Sequence, residues 1–244
     1  DRLDLEVALQ EGADIIALSF VQHPDDVLEA RDLIGDKATL LVKIEKPSAL
    51  EHLEEIISLA DAVMVARGDL GVELPSEMVP IHQRRIVKAA RSHCRPVIVA
   101  TQMMESMIES ATPTRAESSD VATAVYQGAD AVMLSAESAV GRHPPTVVAI
   151  MDRIIRAIQS AEDYRETITV TSGHQTSAEP STAEAMAEAA SEICNALNCS
   201  AIVAFTATGS TGLRISQNRP SAPVLLLTPS VEVARRARLM WGVT

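Results

Sequence analysis

The sequence predicts an α/β protein in which short buried strands alternate with helices and pair in parallel. Three observations support this. The apolar runs, such as residues 40–44, are short and nearly continuous, which is typical of strands buried on both faces. The segment GADIIALS at 12–19 is similar to GADAVMLS at 128–135, and ADAVMV at 60–65 is a third version. Polar residues follow the strand ends, as they do in a (β/α)8 TIM barrel, whose active site lies on that face.

The first predicted unit covers residues 1–161 and alternates helices with strands. Its apolar runs of four to six residues predict strands, and its longer amphipathic segments predict helices; Gly12 is a stop signal for the first helix. The predicted strands are 15–20, 40–44, 62–66, 96–100 and 131–134, and the predicted helices are 3–10, 24–34, 49–59, 81–92, 118–126 and 144–160, with a loop at 74–79. Since a closed barrel of this type needs eight strands, we expect these five to be its last, with about three βα units preceding residue 1.

The second predicted unit covers residues 162–244 and is an incomplete α/β domain with a parallel sheet. Residues 167–181 are rich in Thr, Ser and Gly, which predicts a linker or loop. Ser181 and Glu184 form a capping-box pattern that predicts the start of a helix ending at residue 197. The later strands are predicted at 201–205 and 224–227, and the helices at 212–217 and 231–239.

Composition excludes several classes of protein. A net charge of -12 argues against nonspecific nucleic-acid binding. The three cysteines do not form a disulfide framework, and no apolar run is long enough to cross a membrane. We therefore expect a cytoplasmic protein with no nucleic-acid or membrane partner, in which any anion site is built locally from a few cations and backbone N–H groups.

Two carboxylates and one ammonium group stand at adjacent predicted strand ends. Lys43 and Glu45 are two residues apart, so both side chains project to the same side of one strand, while Gly68 and Asp69 follow the next. Such a set can surround one hard divalent cation and an anionic substrate. The alternative is a surface salt bridge at a loop.

Two further segments carry hydroxyl groups at strand ends. Thr101 follows the fourth strand, where it either orients substrate or a proton-relaying water, or caps a loop. The loop 206–211 connects a strand to a helix and contains Thr206, Thr208, Gly209, Ser210 and Thr211. A loop of this kind presents N–H groups and a helix N-terminus to an anion such as phosphate, although ordinary βα loops share the pattern. Arg115 and Glu117, in a turn before a helix, are expected to form a structural ion pair.

Six runs together resemble the pyruvate kinase family. They are IALSFV at 16–21, VKIEK at 42–46, VARGDLGVE at 65–73, ATQMMESM at 100–107, PTRAE at 113–117 and MLSAESA at 133–139. They occur in the order and at the spacing of that family. The resemblance implies the catalytic (β/α)8 barrel, an inserted lid domain and a C-terminal allosteric α/β domain, with this chain starting just after the lid.

The resemblance also implies roles for particular residues. Lys43 stabilises the phosphoryl-transfer transition state, and Glu45 with Asp69 binds Mg²⁺ or Mn²⁺. Lys43, Gly68, Asp69 and Thr101 hold phosphoenolpyruvate or pyruvate, with Thr101 assisting protonation of the enolate. The loop 206–211 resembles one that binds the phosphate of a sugar-phosphate or nucleotide effector. The contacts to K⁺ and to ADP or ATP are expected upstream of residue 1, and the complete protein is expected to be a homotetramer.

Two other functions stay open at this point. A metal-dependent enolate-forming aldolase or lyase on the same barrel would also use Glu and Asp at adjacent strand ends. Alternatively, the chain is a non-catalytic, effector-binding fragment. Lys43 with Glu45 and the run at 100–107 favour the kinase, and the isolated fragment is expected to be inactive.

Overall fold

A five-stranded parallel sheet forms the centre of the first unit. The computed structural model describes residues 1–172 and 181–244. The strands pair in chain order, each parallel to the next. They are β1 (Ile15–Leu18), β2 (Thr39–Ile44), β3 (Ala62–Ala66), β4 (Val97–Ala100) and β5 (Ala131–Met133). Sequential parallel order with a helical crossover between neighbours is the arrangement of a barrel segment, so the predicted fold class is confirmed.

Helices cover one face of this sheet. They are α1 (Arg2–Gln10), α2 (Pro24–Ile34), α3 (Pro47–Glu51), α4 (Leu53–Leu59), α5 (Arg67–Glu73), α6 (Val79–Ser92), α7 (Arg115–Gln127), α8 (Ala136–Ala139), α9 (Pro144–Gln159) and α10 (Tyr164–Ser172). Of the helices described, none combines the length and apolar composition needed to cross a lipid bilayer.

Alternate residues of each strand face opposite layers of the first unit. Leu40, Val42 and Ile44 of β2 belong to the large core beneath the helices. Leu41, between them, belongs to a smaller cluster on the other face, together with Met64 of β3. Because side chains alternate along a strand, Lys43 and Glu45 lie on the same face as Leu41, which corresponds to the interior of a barrel.

The second unit contains two parallel strands with helices on one face. Its elements are α11 (Thr182–Leu197), β6 (Ile202–Phe205), α12 (Ser210–Gln217), β7 (Val224–Leu227) and α13 (Val231–Arg236). Ser181 caps α11 by accepting from the Glu184 N–H, and the Glu184 carboxylate accepts from Ser181, so the predicted capping box is confirmed. Residues 243 and 224 form a further parallel bridge at the edge of β7.

Three helices differ from the sequence prediction. The helix predicted at 49–59 is two helices that meet at His52. The helix α5 was not predicted, because two glycines lower its propensity, yet Leu70 is fully buried and packing overrides that preference. The helix α12 begins at Ser210 rather than at residue 212.

The predicted linker at 167–181 is wrong for residues 167–172, which belong to α10. Tyr164 and Ile168, four residues apart, bury the same face of α10 against Val125 of α7. This packing holds the helix in place despite its Thr-rich composition. Residues 173–180 of the predicted linker lie outside the described residues, and the domain boundary after residue 161 stays a prediction.

Candidate active site

Lys43 and Glu45 meet at the carboxyl end of β2. Lys43 Nζ forms an ion pair with Glu45 Oε1, and the Glu45 carboxylate is buried. Lys43 Nζ also donates to Ser19 Oγ at 3.1 Å. The strand register explains this contact, since Leu18 is paired with Val42, so the next residue on each strand is again adjacent. The ion pair is therefore set within the parallel sheet and is not an exposed surface salt bridge.

The two oxygens of Glu45 have different environments. Oε2 accepts a hydrogen bond from the Phe20 N–H at 2.7 Å. Phe20 has a φ of 56°, in the left-handed region, and this turn directs its N–H toward the carboxylate. Oε1 is buried and, apart from its ion pair with Lys43, accepts no hydrogen bond from the described residues. A buried carboxylate oxygen that contacts a single ammonium group keeps lone-pair capacity for a hard cation such as Mg²⁺.

Asp69 supplies a second carboxylate, just after the neighbouring strand β3. The register places Ile44 opposite Val65, so the residue after each strand end is also adjacent, and Asp69 lies in the first turn of α5. Its side chain is exposed. Among residues 1–172 and 181–244 there is no group of three or more His, Cys, Asp or Glu side chains that could hold a metal ion. Glu45 and Asp69 thus fit a cation that takes its remaining ligands from substrate and water, as Mg²⁺ commonly does.

Thr101 and Gly68 are in direct contact. The Gly68 N–H donates to Thr101 Oγ1 at 2.8 Å, and that hydroxyl donates to the Ala100 carbonyl at 2.6 Å. A Cβ atom built on Gly68 would stand 3.4 Å from Thr101 Oγ1, at the short end of ordinary van der Waals contact. The ends of β3 and β4 are therefore packed directly against each other at this point.

The sequence reasoning assigned no role to Arg67, which the structure places beneath these groups. Its side chain is 8% exposed and its guanidinium forms an ion pair of 2.5 Å with Asp120 of α7. It also donates to the carbonyls of Thr101, at 2.5 Å, and of Gln102, at 3.1 Å. Its sequence signals were its position directly after an entirely apolar strand and its place in the run at 65–73.

Two further carboxylates hold the segment that follows β4. The buried Glu137 accepts from the N–H groups of Met104 at 3.2 Å and Ser135 at 2.7 Å. Glu117 accepts from both the N–H and the hydroxyl of Ser106. The segment after β4 is therefore linked by these hydrogen bonds to the beginnings of α7 and α8.

The predicted ion pair between Arg115 and Glu117 is wrong. Glu117 instead closes a capping box with Thr114 at the start of α7, and its remaining acceptor capacity is used by Ser106. Burial by itself would raise the pKa of the Glu117 carboxyl, but the hydrogen bonds from Ser106 and Thr114 outweigh it and lower the pKa below its ordinary value.

The loop between β6 and α12 has an internally bonded conformation. Thr206 is buried, and its Oγ1 accepts from the Gly209 N–H at 3.0 Å. Gly209 has a φ of 90°, which favours glycine. Thr208 donates to Ser210 Oγ at 3.1 Å, and the side chains of Thr208 and Thr211 are exposed. The Gly209 N–H is thus already used within the loop, whereas Ser210 and Thr211 occupy the first turn of α12.

This loop borders a cavity of about 380 Å³ between the two units. Thr208, Gly209 and Ser210 line one side of it. The remaining charged residues in its wall are Arg31, Asp36, Asp61, Arg95 and Arg236. Three arginines facing two aspartates leave a local excess of positive charge, in a chain whose overall charge is strongly negative.

Comparison with known proteins places two family models on the chain. The one described as "Pyruvate kinase, barrel domain" matches residues 1–148, and the one described as "Pyruvate kinase, alpha/beta domain" matches residues 184–244. The chain is 53% identical over 243 residues to "Pyruvate kinase" of Agrobacterium vitis. It is 51% identical to that of Methylorubrum extorquens, and 44% identical to "Pyruvate kinase 2" of Synechocystis. These alignments cover all of this chain but 50%, 50% and 40% of the relatives, so the chain spans about half the length of the curated relatives it matches.

Proposed function

Because the chain belongs to the pyruvate kinase family, we propose that the complete protein transfers the phosphoryl group of phosphoenolpyruvate to ADP, giving pyruvate and ATP. The observation that carries the proposal is the pairing of Lys43 with the buried Glu45 on the inner face of the sheet, adjacent to the contact between Gly68 and Thr101. Cation, carboxylate and hydroxyl groups thus converge at the carboxyl ends of neighbouring strands, where barrel enzymes carry their active sites.

Lys43 acts on the transferring phosphoryl group. Phosphoryl transfer passes through a loose transition state whose charge is spread over three oxygens, so the enzyme contributes mainly positioning and charge. The ammonium group is held by Ser19 and Glu45, and it stays partly accessible with its side chain 23% exposed. A fixed cation of this kind costs little reorganisation when negative charge develops in front of it.

Glu45 and Asp69 would hold Mg²⁺ or Mn²⁺. When bound, such a cation supplies Lewis-acid stabilisation to the phosphoryl and enolate oxygens. The buried Glu45 Oε1, which contacts the Lys43 ammonium and accepts no further hydrogen bond from the described residues, supports this assignment. The Phe20 N–H fixes the other oxygen, which keeps the carboxylate oriented.

Thr101 acts at the second half of the reaction. Departure of the phosphoryl group leaves an enolate, which needs a proton to become pyruvate. The Thr101 hydroxyl is oriented by the Gly68 N–H and the Ala100 carbonyl, so it is positioned to orient a water or the enolate itself. Gly68, Asp69 and Lys43 complete the site for the three-carbon substrate.

We place the contacts to ADP, ATP and K⁺ in parts of the complete protein outside these 244 residues. The relatives are about twice as long as this chain, which leaves room for those sites. The isolated chain is then inactive in turnover, and the complete protein is a cytoplasmic glycolytic homotetramer.

The cavity beside the loop 206–211 is the proposed site of an allosteric effector phosphate. Thr206, Thr208, Gly209, Ser210 and Thr211 form the loop, and the arginines across the cavity supply positive charge. Arginine groups and helix N-termini are both suited to phosphate. A sugar phosphate or a nucleotide satisfies this chemistry equally.

One assay of the complete protein separates the proposal from its alternatives. Purified enzyme is given phosphoenolpyruvate, ADP, Mg²⁺ and K⁺, and pyruvate and ATP are quantified together. Formation of both in equal amounts supports the kinase. Carbon–carbon cleavage without ATP formation would favour an aldolase or lyase, and effector binding without turnover or metal binding would favour a non-catalytic role.

A further inference from the structure

The backbone that carries Thr101 has an unusual conformation. Thr101 and Gln102 have φ angles of 69° and 52°, so two successive residues with side chains occupy the left-handed region. Residues other than glycine are disfavoured there, and such a conformation persists only where the surrounding structure imposes it. Something must therefore hold this turn, since the Thr101 hydroxyl depends on it for its place beside Gly68.

The side chain of Arg67 makes the contacts that hold the turn. Its guanidinium donates to three successive carbonyl oxygens: that of Ala100 at 3.4 Å, of Thr101 at 2.5 Å and of Gln102 at 3.1 Å. Each of these carbonyls therefore points toward Arg67. A backbone that returned to the ordinary right-handed region would turn them away and deprive the buried guanidinium of these carbonyl acceptors.

The guanidinium is itself anchored from the opposite side. Its Nη1 atom pairs with Asp120 Oδ2 of α7 at 2.5 Å and donates to Gln83 Oε1 of α6 at 3.4 Å. Arginine has a planar fork with five donors, which lets it contact both a carboxylate and a row of carbonyls at once. The ammonium of a lysine is a single point charge and cannot reach both sets.

Arg67 is joined to the site a second time, through its own main chain. The next residue is Gly68, whose N–H donates to Thr101 Oγ1. The Arg67 side chain therefore holds the turn that carries Thr101, and its main chain leads directly into Gly68, the donor to Thr101. Arg67 thus fixes the position of both residues of this contact.

We propose that Arg67 is a positioning residue that sets the Thr101 hydroxyl for the reaction. It does not touch the substrate, and it acts by keeping residues 101 and 102 in the left-handed conformation. This inference rests on the proposed function, because it assumes that the Thr101 hydroxyl contributes to turnover.

The test is a kinetic double-mutant cycle in the complete enzyme. Arg67→Met, Thr101→Val and the double variant are compared with wild type for kcat and for the KM of phosphoenolpyruvate. We expect Arg67→Met to lower kcat by about 100-fold, the scale of a misplaced catalytic group, with a much smaller change in KM. In the Thr101→Val background the same substitution should cost less than about threefold, because the group it positions is already gone.

Arg219→Met is the matched control, since it also removes a buried arginine from an ion pair with an aspartate, far along the chain. Arg219→Met should change kcat by the same factor in the wild-type and the Thr101→Val backgrounds. If Arg67→Met does not yield folded enzyme, Arg67→Lys and Asp120→Asn go through the same cycle. For either, a loss of kcat that vanishes in the Thr101→Val background supports the proposal.

Two results would overturn the inference, and only the second would also contradict the proposed function. If the losses from Arg67→Met and Thr101→Val multiply in full, Arg67 supports the fold alone and the proposed function stands. If Thr101→Val leaves kcat within about threefold of wild type, the role of Thr101 in the proposed function fails and the inference fails with it.

Discussion

Arg219 and Asp130 form an ion pair that joins the two units, with 2.8 Å between Nη1 and Oδ1 and side chains that are 1% and 0% exposed. Arg219 also donates to the Gly128 carbonyl at 2.7 Å and lies over the Trp241 ring at 5.1 Å. The other oxygen of Asp130 accepts from the Val97 N–H at 2.9 Å. One carboxylate therefore links two neighbouring strands of the sheet and the second unit.

Breaking this pair should destabilise the complete protein strongly. Arg219→Met or Asp130→Asn leaves a buried charge without its opposite charge, which costs about 3–5 kcal/mol of unfolding free energy. Arg235 and Asp14 provide the control: they also join the two units, but their side chains are 53% and 29% exposed. Arg235→Met should cost less than about 1 kcal/mol. If urea unfolding shows that Arg219→Met and Arg235→Met lose the same unfolding free energy, burial does not account for the difference between the two ion pairs.

Lys43→Met in the complete enzyme should abolish most phosphoryl transfer, because the transition-state charge loses its fixed cation. We expect turnover to fall by about 100-fold or more, with Mn²⁺ affinity largely retained, since both carboxylates remain. Lys88→Met, on an exposed position of α6, is the control for loss of a lysine. Turnover of Lys43→Met within about tenfold of wild type would rule out the assigned role.

Glu45→Gln should remove divalent-cation binding by this chain. Isothermal calorimetry with Mn²⁺ and oxalate, an analogue of the pyruvate enolate, is expected to show saturable binding for the wild-type chain and none for the variant. Glu6→Gln, at an exposed position of α1, matches the charge change. Unaltered binding in a folded Glu45→Gln chain would show that the cation lies elsewhere.

Glu117 should make stability depend on pH in the acid range. Its pKa is lowered in the folded state from an ordinary value of 4.5, because its hydrogen bonds outweigh the effect of burial. The folded state then binds fewer protons than the unfolded state, so this stabilisation is complete above that ordinary value and is lost as the pH falls through the folded pKa. Glu117→Gln should therefore destabilise more at pH 7 than at about pH 3. Urea unfolding at both pH values measures the loss, with Glu6→Gln as the control. If Glu117→Gln lowers the unfolding free energy equally at both pH values, the assignment is wrong.

The repeated Gly-Ala-Asp motif illustrates which features could be predicted from the sequence and which could not. The repeat correctly indicated equivalent strand starts before β1 and β5, and the related Ala-Asp before β3. The structure shows the role of the aspartate in this motif, which is to accept a hydrogen bond from the backbone of the neighbouring strand. Asp61 accepts from the Leu40 N–H at 2.8 Å, and Asp130 accepts from the Val97 N–H. That role depends on which strand is the neighbour, and no local pattern contains this information.

The sequence by itself determined the order of strands and helices, the common face of Lys43 and Glu45, and membership of a family. All three depend on local periodicity or on motif spacing, which a single chain segment carries. Only the tertiary structure decided the left-handed turn at Thr101, the helix α5 despite its glycines, and the burial of Arg67 and Arg219. Their contacts include hydrogen bonds between residues 33 positions apart, as for Gly68 and Thr101, and 91 positions apart, as for Arg219 and Gly128, so the energies that select them arise only after the strands have packed.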